Sequence, residues 1–167
     1  DLRILNERGA ANLKGRFAFG NHNEFDFRLD FDDVNLGNLV VPQLQQTSLT
    51  GTITANSTSL DPANALGTLQ MSLSSGGINA FAFDTLFVNA DWENGIINPR
   101  YGLSSSITDV RGESTISLTD TIPTITLNGS ATQFDVKALT NAENLSAALV
   151  DMEYDMLLNG IDPESAF

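Results

Sequence analysis

Along most of this chain, apolar and polar residues trade places at every second position. Phe17 and Phe19, then Phe25, Phe27, Leu29 and Phe31, stand among mostly polar neighbours. Side chains of a strand point alternately to its two faces, so this period of two predicts strands with one buried face. Gly20-Asn21-His22-Asn23 lies between the two runs as a turn cluster, and the pair reads as an antiparallel hairpin. The same alternation returns in Leu49-Thr50-Gly51-Thr52-Ile53-Thr54-Ala55, at Leu69, Met71 and Leu73, at Phe81 and Phe83, and from Leu86 through Val88 and Ala90 to Trp92. It continues at Tyr101 and Leu103, Ile116 and Leu118, Ile125 and Leu127, Phe134 and Val136, and from Val150 to Met156. Turn-forming residues at Ser74–Gly77, Glu93–Gly95, Asp109–Gly112, Asp120–Pro123 and Asn128-Gly129 separate these runs. Each separator is too short for a parallel crossover, so the expected topology is an antiparallel meander.

Two stretches break the period. Leu36, Leu39 and Val40 have helical spacing, with Gly37 weakening the pattern and Pro42 ending it, so Asp33–Gln46 predicts a short helical turn. Thr140-Asn141-Ala142-Glu143 has capping-box spacing ahead of Leu145, Ala148, Leu149 and Met152, which predicts a helix over Asn141–Leu149.

The layout also repeats. Leu60-Asp61-Pro62-Ala63-Asn64-Ala65 is echoed by Ile161-Asp162-Pro163-Glu164-Ser165-Ala166, 101 residues later, and Phe31-Asp32 by Phe134-Asp135, 103 residues later. The expectation is one continuous β-repeat segment over residues 1–167, cut from a longer protein. One repeat unit would run over about 31–133 and the next would start at about 134.

Composition narrows the functional classes. A net charge of −13, with only 8 Lys and Arg, repels a phosphate backbone, and no basic stripe with interleaved aromatics offsets it, so nucleic-acid binding is excluded. No apolar run approaches the ~20 residues that cross a bilayer. There is no cysteine for a disulfide or thiolate site, and the single histidine, His22, sits in a polar turn. A catalytic triad or histidine-based metal site lacks its components, so neither enzyme nor cofactor is expected. Asp30, Asp32 and Asp33 cluster, while Asp151, Glu153 and Asp155 alternate with Met152, Tyr154 and Met156, as the wet face of a strand does.

The functional content therefore lies in the apolar positions themselves. In a closed sandwich two sheets cover each other's apolar faces; in an open or U-shaped sheet that face stays available as a trough. Its lining would be Phe17, Phe19, Phe25, Phe27, Leu69, Met71, Leu73, Phe81, Phe83, Leu86, Val88, Leu103, Ile116, Leu118, Ile125, Leu127, Phe134 and Val136. A pliable Phe, Leu and Met lining suits acyl chains, because dispersion contacts require no single ligand shape. A charge at Leu73 or Phe83 is expected to obstruct such a trough, and an outward residue such as Ser72 to tolerate change.

A Leu-rich helical stretch, the Leu49-Thr50-Gly51-Thr52-Ile53 strand with its central glycine, the Ser59-Leu60-Asp61-Pro62 close, a Ser/Gly-rich turn and the run around Asn89–Asn94 follow one another, with part of this order recurring near 100 residues. That arrangement resembles the repetitive β region of the AsmA-like family, most closely its TamB (translocation and assembly module) branch, over roughly Leu13–Phe167. The resemblance implies an all-β fold with one or two short helices, in which a curved antiparallel sheet forms a U-shaped "β-taco" with an apolar inner face. It further implies a periplasmic location in a Gram-negative bacterium, with the parent protein anchored in the inner membrane. The implied function is non-enzymatic: holding phospholipid acyl chains in transport between the inner and outer membranes, and outer-membrane protein assembly. Implied contacts are outer-membrane assembly proteins or nascent β-strands at sheet edges; independently of the resemblance, an exposed apolar groove or open edge makes a dimer an expectation. The competing expectation is a closed β-sandwich of a surface or adhesin-like protein that binds protein or glycan through its loops.

Overall fold

The computed structural model describes residues 2–5, 9–20, 23–35, 47–78, 81–119, 122–135, 137 and 149–159. Their strands are β1 (Leu2–Leu5), β2 (Ala10–Ala18), β3 (Glu24–Val34), β4 (Thr47–Ser57), β5 (Leu66–Ile78), β6 (Phe81–Glu93), β7 (Ile96–Ser104), β8 (Asp109–Ser117), β9 (Thr124–Asp135) and β10 (Leu149–Asn159). All ten pair in chain order in one sheet, every neighbour antiparallel, with β1 and β10 at its edges. The sheet is neither closed nor strongly curled. The meander is thus the one the short separators predict, and the described strands supply no second sheet for a sandwich.

Several separators lie elsewhere than the pattern places them. Ser74–Gly77 is inside β5, Asp109–Gly112 inside β8, and Asn128-Gly129 inside β9, so each is strand and not turn. The turn at Asn94-Gly95 stands: both residues have positive φ, 50° and 80°, as a two-residue hairpin turn of the twist-compatible type requires. The helical turn expected over Asp33–Gln46 gives way at its start to strand, since Asp33 and Val34 belong to β3, and residues 36–46 lie outside the described residues. The expected helix Asn141–Leu149 also falls outside them, except that Leu149 opens β10 as strand. His22, Val136 and the second Asp-Pro pair are outside as well.

The first Asp-Pro pair closes the β4–β5 connection. Asp61 caps a 3-10 turn, Pro62–Asn64, by accepting the Ala63 N–H at 3.1 Å and the Asn64 side-chain amide at 2.7 Å. The Asn94 N–H donates to the Ala65 carbonyl, which ties this connection to the neighbouring β6–β7 hairpin.

Bulges organise the opposite end of the sheet. Between Phe31↔Gly51 and Val34↔Leu49, two residues of β3 oppose one of β4; Asp33 has φ 49° and its N–H donates to Thr50 Oγ1 at 3.1 Å. Between Ala131↔Met152 and Val150↔Phe134, two residues of β9 oppose one of β10; Gln133 has φ 56° and its N–H donates to Asp151 Oδ1 at 2.9 Å. The two bulges are the same device six strands apart, with Asp33 matched to Gln133 and Thr50 to Asp151. The β4–β10 offset of 101 residues equals that of the Asp-Pro pairs. By this geometry the counterpart of Phe134 is Val34, not Phe31.

A third irregularity lies where Ser75 has φ 49°, opposite the exposed pair Asp84-Thr85. Simple alternation would put Phe83 and Leu86 on opposite sides of β6. The break rephases the strand, so Phe83 packs with Leu49 and Leu73, and Phe31, Met71, Phe81, Leu86 and Leu103 pack against that trio. Val34, only 1% exposed, is the most buried large side chain described.

Candidate functional surface

Directly paired residues of an antiparallel ladder share a side of the sheet, so the register decides which sequence positions meet. One row runs Leu13, Leu29, Ile53, Met71, Val88, Tyr101, Gly112, Gly129, Tyr154 across β2 to β10. A second runs Ala11, Phe31, Gly51, Leu73, Leu86, Leu103, Val110, Ala131, Met152. A third runs Phe17, Phe25, Ser57, Gly67, Trp92, Ile97, Ile116, Ile125, Leu158. Between the first and third rows lie Phe27, Ala55, Leu69, Ala90 and Pro99, with Leu127 and Met156 farther along.

Of the expected lining, Phe17, Phe25, Phe27, Leu69, Met71, Leu73, Leu86, Val88, Leu103, Ile116, Ile125 and Leu127 therefore share one side. Phe81 and Phe83 join it through the rephasing of β6. Phe134 is half-buried at the β9 bulge; Phe19 and Leu118 lie just beyond the ends of β2 and β8, Phe19 80% exposed. Phe17, Phe25 and Phe27 touch one another with ring centroids 5.8–6.4 Å apart.

Not all these residues are equally available. Leu73 and Phe83 are core, 5% and 4% exposed, so a charge at either would test folding before any ligand contact. Val88 and Leu127 are half-buried and lie outside that cluster.

One polar feature interrupts the rows. The Tyr101 and Tyr154 hydroxyls hydrogen-bond at 2.9 Å. The two side chains meet over Gly112 and Gly129: a Cβ on Gly112 would come within 2.7 Å of both hydroxyl oxygens, so a side chain there would displace them. Burial, followed by this hydrogen bond, pushes the Tyr154 phenol up to about 12. Sequence reading missed the pair because the glycines that admit it stand on strands between the tyrosines.

The other side carries Ser72, Gln70, Asn89, Arg100, Glu113 and Asn128, with Phe87 among them. A shallow depression of about 470 Å³ lies here, lined in part by Phe87, Arg100 and Arg111. The Arg100–Glu113 pair at its rim is exposed and 3.9 Å apart. Toward the β1 edge, on β3, Arg28 donates to Asp30 at 2.9 Å, which holds the Asp30 carboxyl below its ordinary value. Among the described residues no group of histidine and carboxylate side chains could hold a metal ion.

No family model, curated protein or solved structure matches this chain.

Proposed function

We propose that this chain is a non-enzymatic lipid-accommodating segment, as in the TamB and AsmA-like proteins it resembles. In this reading the side bearing Leu29, Ile53, Met71 and Val88 is the apolar face of a trough. The observation that supports it most is that these positions run in register across a single-layered sheet, for which the described residues provide no covering layer. A soluble protein rarely leaves a broad apolar surface without an occupant. Acyl chains would lie along the rows, headgroups would face the open side, and no bond would be made or broken. The curl into a U-shaped taco, the periplasmic location and the role between inner and outer membranes belong to the same proposal.

The test is native mass spectrometry of the chain purified from a Gram-negative host. Co-purifying phospholipid is expected, reduced to background in Val88→Lys and Leu127→Lys and retained in Ser72→Lys, all three remaining folded by circular dichroism. Lipid-free protein, or equal loading of all three variants, would overturn the reading.

A further inference from the structure

We propose that the depression on the polar side of the sheet is a binding site for a saccharide that carries a single carboxylate or phosphate group. It lies on the side opposite the apolar rows, so the inference stands independently of lipid binding.

Strands β4 to β10 contain two cationic side chains, Arg100 on β7 and Arg111 on β8, and both line this one depression of about 470 Å³. The ladder places them together: Arg100 pairs with Glu113, and Arg111, two residues before Glu113, shares its side and pairs with Gly102. Arg100 has a loose, exposed contact with Glu113 at 3.9 Å, an arrangement of little net worth. Arg111 is opposite Gly102 and Ser130 on the adjacent strands. Among the described residues it forms no ion pair, not even with Asp109 or Glu113 on its own strand. Two arginines against one glutamate leave an excess positive charge in the lining, within a chain of net charge −13. That overall charge repels a polyanion, while the local excess suits a single anionic group.

The rest of the lining is suited to a ring with hydroxyls. Phe87 stands on this mostly polar side opposite Gly102, and a Cβ on that glycine would collide with the Phe87 ring. The ring therefore lies across Gly102, toward Arg111, and stays partly exposed. A pyranose has C–H groups over its faces, which an aromatic π-face attracts, and hydroxyls around its rim. Asn89 and Asn128 offer amide donors and acceptors to such hydroxyls, and Glu113 offers an acceptor. A bare anion needs donors alone and has no use for Phe87 or Glu113. A second depression of about 270 Å³ shares Arg100, Glu113 and Asn128 and adds Asp91, Asn98 and Thr115, which extends the site for a further sugar.

NMR titration of the isotope-labelled whole chain tests this with a panel of disaccharides. The panel holds glucuronyl-, sialyl- and phosphoryl-terminated members, their neutral parents, and inorganic phosphate alone. Acidic members should shift the Gly102 and Arg111 amides and bind about tenfold more tightly than the neutral parents or phosphate. Arg111→Gln should erase the preference for acidic members, and Arg111→Lys should retain it. Phe87→Leu, which keeps apolar bulk over Gly102, should weaken acidic and neutral members alike, about fivefold. Val88→Lys, on the other side, should leave binding unchanged, and all variants should remain folded by circular dichroism. No binding by any acidic member, equal affinity for neutral parents or for phosphate, or unaltered binding in Arg111→Gln or Phe87→Leu would overturn the proposal.

Discussion

Two side chains, Thr50 and Asp151, do the same task a hundred residues apart. Each accepts the N–H of a bulge residue held at positive φ, Asp33 or Gln133, which the ladder leaves unpaired. Asp151→Ala removes that acceptor at an exposed site, so it should cost about 1 kcal/mol in denaturant unfolding and speed exchange of the Gln133 amide. No change in either would mean that water serves as well. Tyr154 offers a second residue-scale test. Its pKa is raised in the fold, so the stability tied to the neutral phenol is fully present below the ordinary value of 10 and is lost as pH rises through about 12. Titration followed at the Tyr154 ring carbon by NMR should show this late ionisation. Gly129→Val, which drives a side chain into the Tyr154 hydroxyl, should return it toward 10. Persistence of the late ionisation would dissociate the shift from the packing over the glycines.

At the scale of the element, the alternation of Phe, Leu and Ile located the strands and assigned most of the proposed lining to one side. It failed wherever glycine, serine and asparagine were read as turns. Ser74–Gly77, Asp109–Gly112 and Asn128-Gly129 carry turn chemistry, yet Ser75 makes a bulge, and Gly76, Gly112 and Gly129 clear space for Phe83, Tyr101 and Tyr154. A glycine needed for clearance looks like one needed for a turn until the covering aromatic is placed, and that aromatic belongs to another strand. The same limit hid the rephasing of β6, which depends on Ser75 in β5 as much as on Asp84-Thr85. Asn94-Gly95 is the case where local and global demands coincide. Gly95→Ala puts a Cβ at φ 80° and should destabilise by about 1 kcal/mol on chemical unfolding, without changing the strand register seen by NMR. A neutral result would show that the hairpin shifts to another turn type.

For the whole molecule, the 101-residue offset of the hexapeptide echo equals that between Thr50 and Asp151 at the two bulges, and the 103-residue offset of Phe-Asp does not. Asp-Pro ends a strand connection, where geometry is restrictive; Phe-Asp is ordinary strand alternation and recurs at Phe25-Asp26 and Phe83-Asp84. The matched bulges fix the structural period at six strands, from β3 to β9. Six is even. A meander reverses direction at every strand, so only an even period returns each module pointing the same way, with its apolar positions on the same side. The ends of β3 and β9, Val34 and Asp135, consequently lie on the same rim of the sheet. At roughly 4.8 Å between strands they stand about 29 Å apart. The rim is thereby a ruler: a strand end and its counterpart six strands on stand at a fixed pitch along the same edge.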